Sequence, residues 1–99
     1  MKMFMRIKPD FPNEWIGSYS DELILADGFE EALIGICEGF GGTISVAYDR
    51  DKCIDILVER DGMEYEEAVE YFEFNVIGSW VGEHTPVYIT VYPGKEDTE

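Results

Sequence analysis

The chain has 99 residues, 45% apolar and 14% aromatic, enough to build one small core and too much for an intrinsically disordered polypeptide. Seven Lys and Arg stand against 22 Asp and Glu, a formal net charge of -15. A field of that sign repels nucleic acid and anionic membranes and attracts basic proteins or cations, so neither direct nucleic-acid binding nor membrane binding is expected.

Residues 1–8 alternate, with Met3, Met5 and Ile7 opposed to Lys2, Phe4, Arg6 and Lys8, which predicts a short strand. The segment lacks the apolar stretch of a signal peptide, and no apolar run in the chain approaches 18 residues, so neither a leader nor a transmembrane helix is expected. Pro9, Pro12 and Asn13 break the strand, and Trp15, Ile16 and Tyr19 are expected in a loop folded over the core.

A first helix is predicted over 28–38. Asp27 would cap it, Glu30 and Glu31 would occupy its first turn, and Phe29, Ala32, Leu33, Ile36 and Phe40 share a face at helical spacing. Gly39, Gly41 and Gly42 would end it; they follow the helix and do not form a phosphate-binding loop. Residues 43–48 read as a strand rich in β-branched side chains.

Asp49 then caps a second helix burying Ile54, Leu57 and Val58, and Gly62 stops it. A third helix is predicted over 64–79, with Tyr65, Val69, Phe72 and Val76 as its core stripe. Ala68, Asn75 and Ser79 lie along its shoulder, and Asn75 is expected to hydrogen-bond backbone. Pro86 opens a last strand over 86–92, and residues 94–99 form a disordered acidic tail. The expected architecture is a single α+β domain over 1–93, three helices packed on a small, mostly antiparallel three-stranded sheet.

The outer faces of the second and third helices carry the functional signal. Asp51, Asp55 and Glu59 fall on one ridge, and Glu66, Glu70 and Glu73 on another. Like charges at these spacings each cost a few tenths of a kcal/mol, so stability is spent to keep carboxylates adjacent. Neighbours on such a ridge lie roughly 6 Å apart, on the scale of a phosphate backbone. The alternative reading is an ordinary solvated face in an acidic chain.

Other chemistries fit less well. Asp49-Arg50-Asp51 begins like a calcium loop, but Cys53 and Ile54 stand where an oxygen ligand and the glycine belong. His84 and two separated cysteines do not make a zinc site, so no metal or cofactor is expected. Catalysis would need His84 with Ser79 or Cys53, and nothing in their spacing supports it; an enzyme is not expected. Cys37 and Cys53, set among apolar residues of predicted helices, read as buried free thiols in a reducing compartment, with a disulfide as the alternative. A small-ligand pocket could form from Tyr48 and Lys52 at a strand-to-helix junction, walled by Trp80 and His84, the latter in an exposed turn.

Three segments carry a resemblance: VAYDRDKCIDILVERDGM, EEAVEYFEFNVIGSWVG, and the Thr-Pro before the last strand, with a weaker match at EEALIG. Over residues 28–91 the pattern resembles a family of small uncharacterised proteins common in tailed-bacteriophage genomes. The resemblance implies a phage protein working in the cytoplasm of an infected bacterium, and it carries over no functional residue. Glu64 departs from the family's frequent Ser or Thr cap, which weakens the start of the third helix. The resulting expectation is a non-enzymatic phage accessory protein that binds a basic host or defence protein, as a nucleic-acid mimic. The alternatives are a small-molecule binder for a nucleotide signal, and a homo-oligomeric structural domain assembled through aromatics such as Tyr71 and Phe74.

Overall fold

The computed structural model describes residues 4–6, 16, 20 and 22–93. Trp15, Tyr19, the limits of the first strand and the 94–99 tail lie outside them. The fold is α+β with a mixed three-stranded sheet and, among the described residues, two helices instead of three.

β1 (Phe4–Arg6) pairs antiparallel with β2 (Ile24–Ala26), Met5 opposite Leu25, as a separate two-stranded sheet. β2 was not foreseen; it lies in the short apolar run Leu23-Ile24-Leu25-Ala26, buried throughout.

The predicted first helix is the main correction. After one tight turn at Glu30–Ala32, residues Leu33–Glu38 form β3, paired antiparallel with β4 (Ile44–Asp49). Asp27 caps nothing here, and Phe40, placed on the core face by helical spacing, is fully solvent-exposed. Three features favour the strand. Ile34 and Ile36 are β-branched, Gly35 would weaken a helix interior, and β4 offers a ready partner. The glycines make a hairpin turn and not a helix stop: Gly41 and Gly42 take φ of 81° and 83°, and the Gly39 N–H donates to Thr43 O at 2.7 Å.

α1 (Arg50–Asp61) has the caps expected of it, but Val58, expected inside, is half-buried and Cys53 takes the third inward place. Asp49 Oδ1 accepts from the Lys52 N–H at 3.2 Å, Gly62 closes the helix at φ 72°, and Cys53, Ile54 and Leu57 are buried. α2 (Tyr65–Tyr71) starts at Glu64 without a side-chain cap and continues as a π turn over Phe72–Ile77. Its buried stripe is Ala68, Phe72 and Val76. Tyr65, expected in that stripe, is 60% exposed; as the first helical residue it lies beyond the core, and Ala68 one turn on takes the first inward place.

Asn75 Nδ2 donates to Tyr71 O at 3.2 Å, the backbone bond expected for it, and Ser79 Oγ donates to Asn75 O at 2.9 Å. The widened turn closes where the Gly78 N–H reaches Glu73 O at 3.1 Å. A Cβ at residue 78 would stand 2.7 Å from Phe74 O, so this closure requires glycine.

β5 (Val87–Ile89) runs parallel to β4, so the sheet is mixed and not mostly antiparallel. Only Val87–Ile89, in the first half of the predicted 86–92 strand, pairs. The cause lies in the return segment 78–86. His84 Nδ1 donates to Ile44 O at 2.8 Å, and Val87 pairs with Ala47, so both contacts join residues 40 apart (84 − 44 and 87 − 47). The His84 side chain therefore tethers the return segment to Ile44, the first residue of β4. It is half-buried, with Nε2 3.6 Å from Glu22, and is not the exposed turn residue expected.

The core joins these layers through aromatic rings. Tyr88 stacks on Tyr48 at 5.8 Å and meets Phe72 edge-on at 5.1 Å; Phe72 meets Phe29 edge-on at 6.5 Å. Ile16 is fully buried, but its backbone is helical and not the loop expected there.

Candidate functional site

The only Lys or Arg between residues 9 and 94 are Arg50, Lys52 and Arg60, all on α1. Two of them are committed to structure. Arg50 pairs with Glu73 of α2 at 2.8 Å and lies over the Phe72 ring at 5.7 Å. Arg60 donates to Gly28 O at 2.9 Å, pairs with Asp61 at 3.0 Å and lies over Phe29 at 5.7 Å. The bond to Arg60 holds the Asp61 carboxyl below its ordinary range and raises the guanidinium in return.

The six carboxylates of the two predicted ridges are all exposed. Glu73 is the exception among them in being paired. Asp51, Asp55, Glu59, Glu66 and Glu70 make no ion pair among the described residues. The Arg50–Glu73 bond joins the start of α1 to the π turn that continues α2, while Glu66 and Glu70 stay on the exposed side of α2.

The structure adds two carboxylates that helical spacing misplaced. Glu30 and Glu31 sit on the tight turn packed beside α1. One open groove of about 330 Å³ is lined by Gly28, Glu30, Glu31, Ile56, Glu59 and Arg60. A second, about 220 Å³, is lined by Glu31, Lys52, Asp55, Ile56 and Glu59. Sharing Glu31, Ile56 and Glu59, they form one acidic trough along the outer side of α1, with Ile56 as its apolar element and Lys52 its remaining uncommitted cation. The adjacent Glu-Glu pair was the available signal, but its placement depended on recognising β3.

The expected ligand pocket of Tyr48, Lys52, Trp80 and His84 is not assembled. Tyr48 is 1% exposed, and its hydroxyl accepts from the Ala26 N–H at 2.8 Å inside the core. His84 is bonded to Ile44 O, Trp80 is 77% exposed, and Lys52 lies in the α1 trough. Neither groove includes Tyr48, Trp80 or His84.

The candidate nucleophiles also have structural surroundings. Burial, reinforced by Asp49, pushes the Cys53 thiol up to about 12, so it is protonated near neutral pH. Ser79 donates to Asn75, and both ring nitrogens of His84 face oxygens of Ile44 and Glu22. Cys37 and Cys53 are both free, Cys53 buried and Cys37, on β3, half-buried. Among the described residues no three His, Cys, Asp or Glu side chains converge as a metal site, and no helix is long and apolar enough to cross a membrane.

Compared with family models, curated proteins and solved structures, the chain matches none.

Proposed function

We propose that this chain is a non-enzymatic phage accessory protein that binds a basic host or defence protein through its acidic helical face, as a nucleic-acid mimic. One observation carries the reading: Asp51, Asp55, Glu59, Glu66 and Glu70 are exposed on adjoining helices, while two of the three nearby cations are spent on Glu73, Asp61 and aromatic rings. The remaining carboxylates keep their field for a partner. A protein whose own groove binds phosphate backbone would accept this face by the same electrostatics.

A pull-down from bacterial lysate over a salt series tests the proposal. A basic protein is retained at low salt, released as salt rises, and displaced by double-stranded DNA. Absence of any basic partner at low salt would refute it. Nucleotide binding is less well supported, because Glu30, Glu31, Asp55 and Glu59 line the grooves in which phosphates would have to sit.

A further inference from the structure

The outer side of α2 changes character along its length. Glu66, Glu70 and Phe74 succeed one another at four-residue spacing, and Ile77 stands four residues beyond Glu73. One strip of helix surface therefore runs from carboxylates into hydrocarbon. Phe74 is 77% exposed and Ile77 46%, and immediately after the helix Trp80 is 77% and Val81 41% exposed. The inward side of α2 is already satisfied by Ala68, Phe72 and Val76, so these outer side chains are not an unfinished part of the core. Nor is their presentation loose: the Gly78 N–H to Glu73 O bond closes the π turn that carries Phe74 and Ile77. Exposed aromatics gathered at one end of a helix mark an interaction surface more than a solvated one.

Charge selects the occupant. A second copy of the chain would bring Glu66 and Glu70, and the rest of a -15 molecule, against themselves. An anionic bilayer is repelled for the same reason. A cationic segment with apolar anchors satisfies both halves of the strip. We propose that the outer face of α2 docks a basic amphipathic helix of a partner protein, its apolar side chains covering Phe74, Ile77 and Trp80 and its Lys or Arg side chains meeting Glu66 and Glu70. This rests on the acidic face being a partner surface, and it names the partner's chemistry as basic and apolar together. Aromatic anchors would supply affinity, and the carboxylates orientation and rate of encounter.

The test uses the full chain and two labelled synthetic peptides of identical Lys and Leu composition, followed by fluorescence anisotropy at low salt. One peptide places Leu on a single helical face; the other spreads it around the helix. The amphipathic peptide binds about tenfold more tightly. Phe74→Ser with Trp80→Ser, both at exposed positions, removes that preference and leaves the weaker binding, whereas Glu66→Gln with Glu70→Gln weakens both peptides. Equal affinity for the two peptides, or a preference unchanged in the Phe74→Ser, Trp80→Ser variant, overturns the docking strip and leaves the acidic-face reading intact. Failure of both peptides to bind at low salt overturns the acidic-face reading as well. A doubling of the free chain's mass by light scattering, abolished by Phe74→Ser, assigns the patch to a second copy and overturns the proposal.

Discussion

Tyr48 and Tyr88 lie stacked 5.8 Å apart in the core, yet removing their hydroxyls has opposite consequences. The Tyr48 hydroxyl accepts from the Ala26 N–H at 2.8 Å, and Ala26 is fully buried. That bond ties β2, and with it β1, to β4. Tyr48→Phe keeps the ring and the aromatic stack but leaves a buried backbone donor with no acceptor. The cost of such an orphan is about 1–3 kcal/mol, partly offset because the hydroxyl itself no longer has to be desolvated, so about 1–2 kcal/mol is expected. In a domain of this size each kcal/mol lowers Tm by roughly 4–8 °C. The Tyr88 hydroxyl, by contrast, is buried with no hydrogen-bond partner among the described residues. Tyr88→Phe removes an unpaid desolvation and should be neutral or stabilising by up to about 1 kcal/mol. Urea denaturation monitored by circular dichroism separates the two, provided the slope m is unchanged. Hydrogen exchange at the Ala26 amide should accelerate in Tyr48→Phe alone. Equal effects of the two substitutions, or a Tyr48→Phe protein as stable as the parent, would refute the assignment of this hydrogen bond as the link between the sheets.

Gly78→Ala should destabilise by about 1–3 kcal/mol through the clash at Phe74 O, although Gly→Ala usually stabilises a helix, so a rise in Tm would argue against the π turn. Burial raises the Cys53 thiol and the Tyr48 and Tyr88 phenols, so above about pH 9 the folded chain holds protons that the unfolded chain has released. Stability therefore falls as pH rises from about 9 toward 12, and a pH series of urea midpoints should show a shallower fall for Cys53→Ala. Asp55→Asn with Glu59→Gln should raise stability by a few tenths of a kcal/mol by removing an i, i+4 repulsion. Added salt should raise the Tm of the parent more than that of this variant; identical salt responses would show that the ridge is not under electrostatic strain.

The elements legible in the sequence were those set by local chemistry. Asp49 and Gly62 bracket α1 because a cap and a left-handed stop act within a few residues of their own position. The strand at residues 43–48 follows from its β-branched side chains, and the inward positions Ile54, Leu57, Phe72 and Val76 from helical periodicity. What was misread depended on distant partners. Residues 28–38 carry a helical repeat of apolar side chains, but their backbone bonds to β4, a choice that local pattern does not record. The clue was the four-residue span with three glycines between two β-branched runs. The same misreading displaced Glu30 and Glu31 from the acidic trough. Tyr48 looked available for a pocket because the donor to its hydroxyl, the Ala26 N–H, is 22 positions away. His84 looked like a turn residue because its acceptor, Ile44 O, is 40 positions away. The exposed carboxylates of α1 and α2 were legible because solvent-facing positions on a helix need no knowledge of the partner element. Their pairing was not: only the packed helices show Arg50 taking Glu73 out of the free set.

The most direct test of the acidic face compares the parent chain with a variant carrying Asp51→Asn, Asp55→Asn, Glu59→Gln, Glu66→Gln and Glu70→Gln, both immobilised and exposed to bacterial lysate at low and high salt. All five positions are exposed, so the variant should fold, and its midpoint in urea should be no lower than the parent's. The parent is expected to retain a basic protein at low salt and to lose it to added double-stranded DNA, and the variant to retain none. Equal retention by parent and variant, or no basic protein on either, would contradict it.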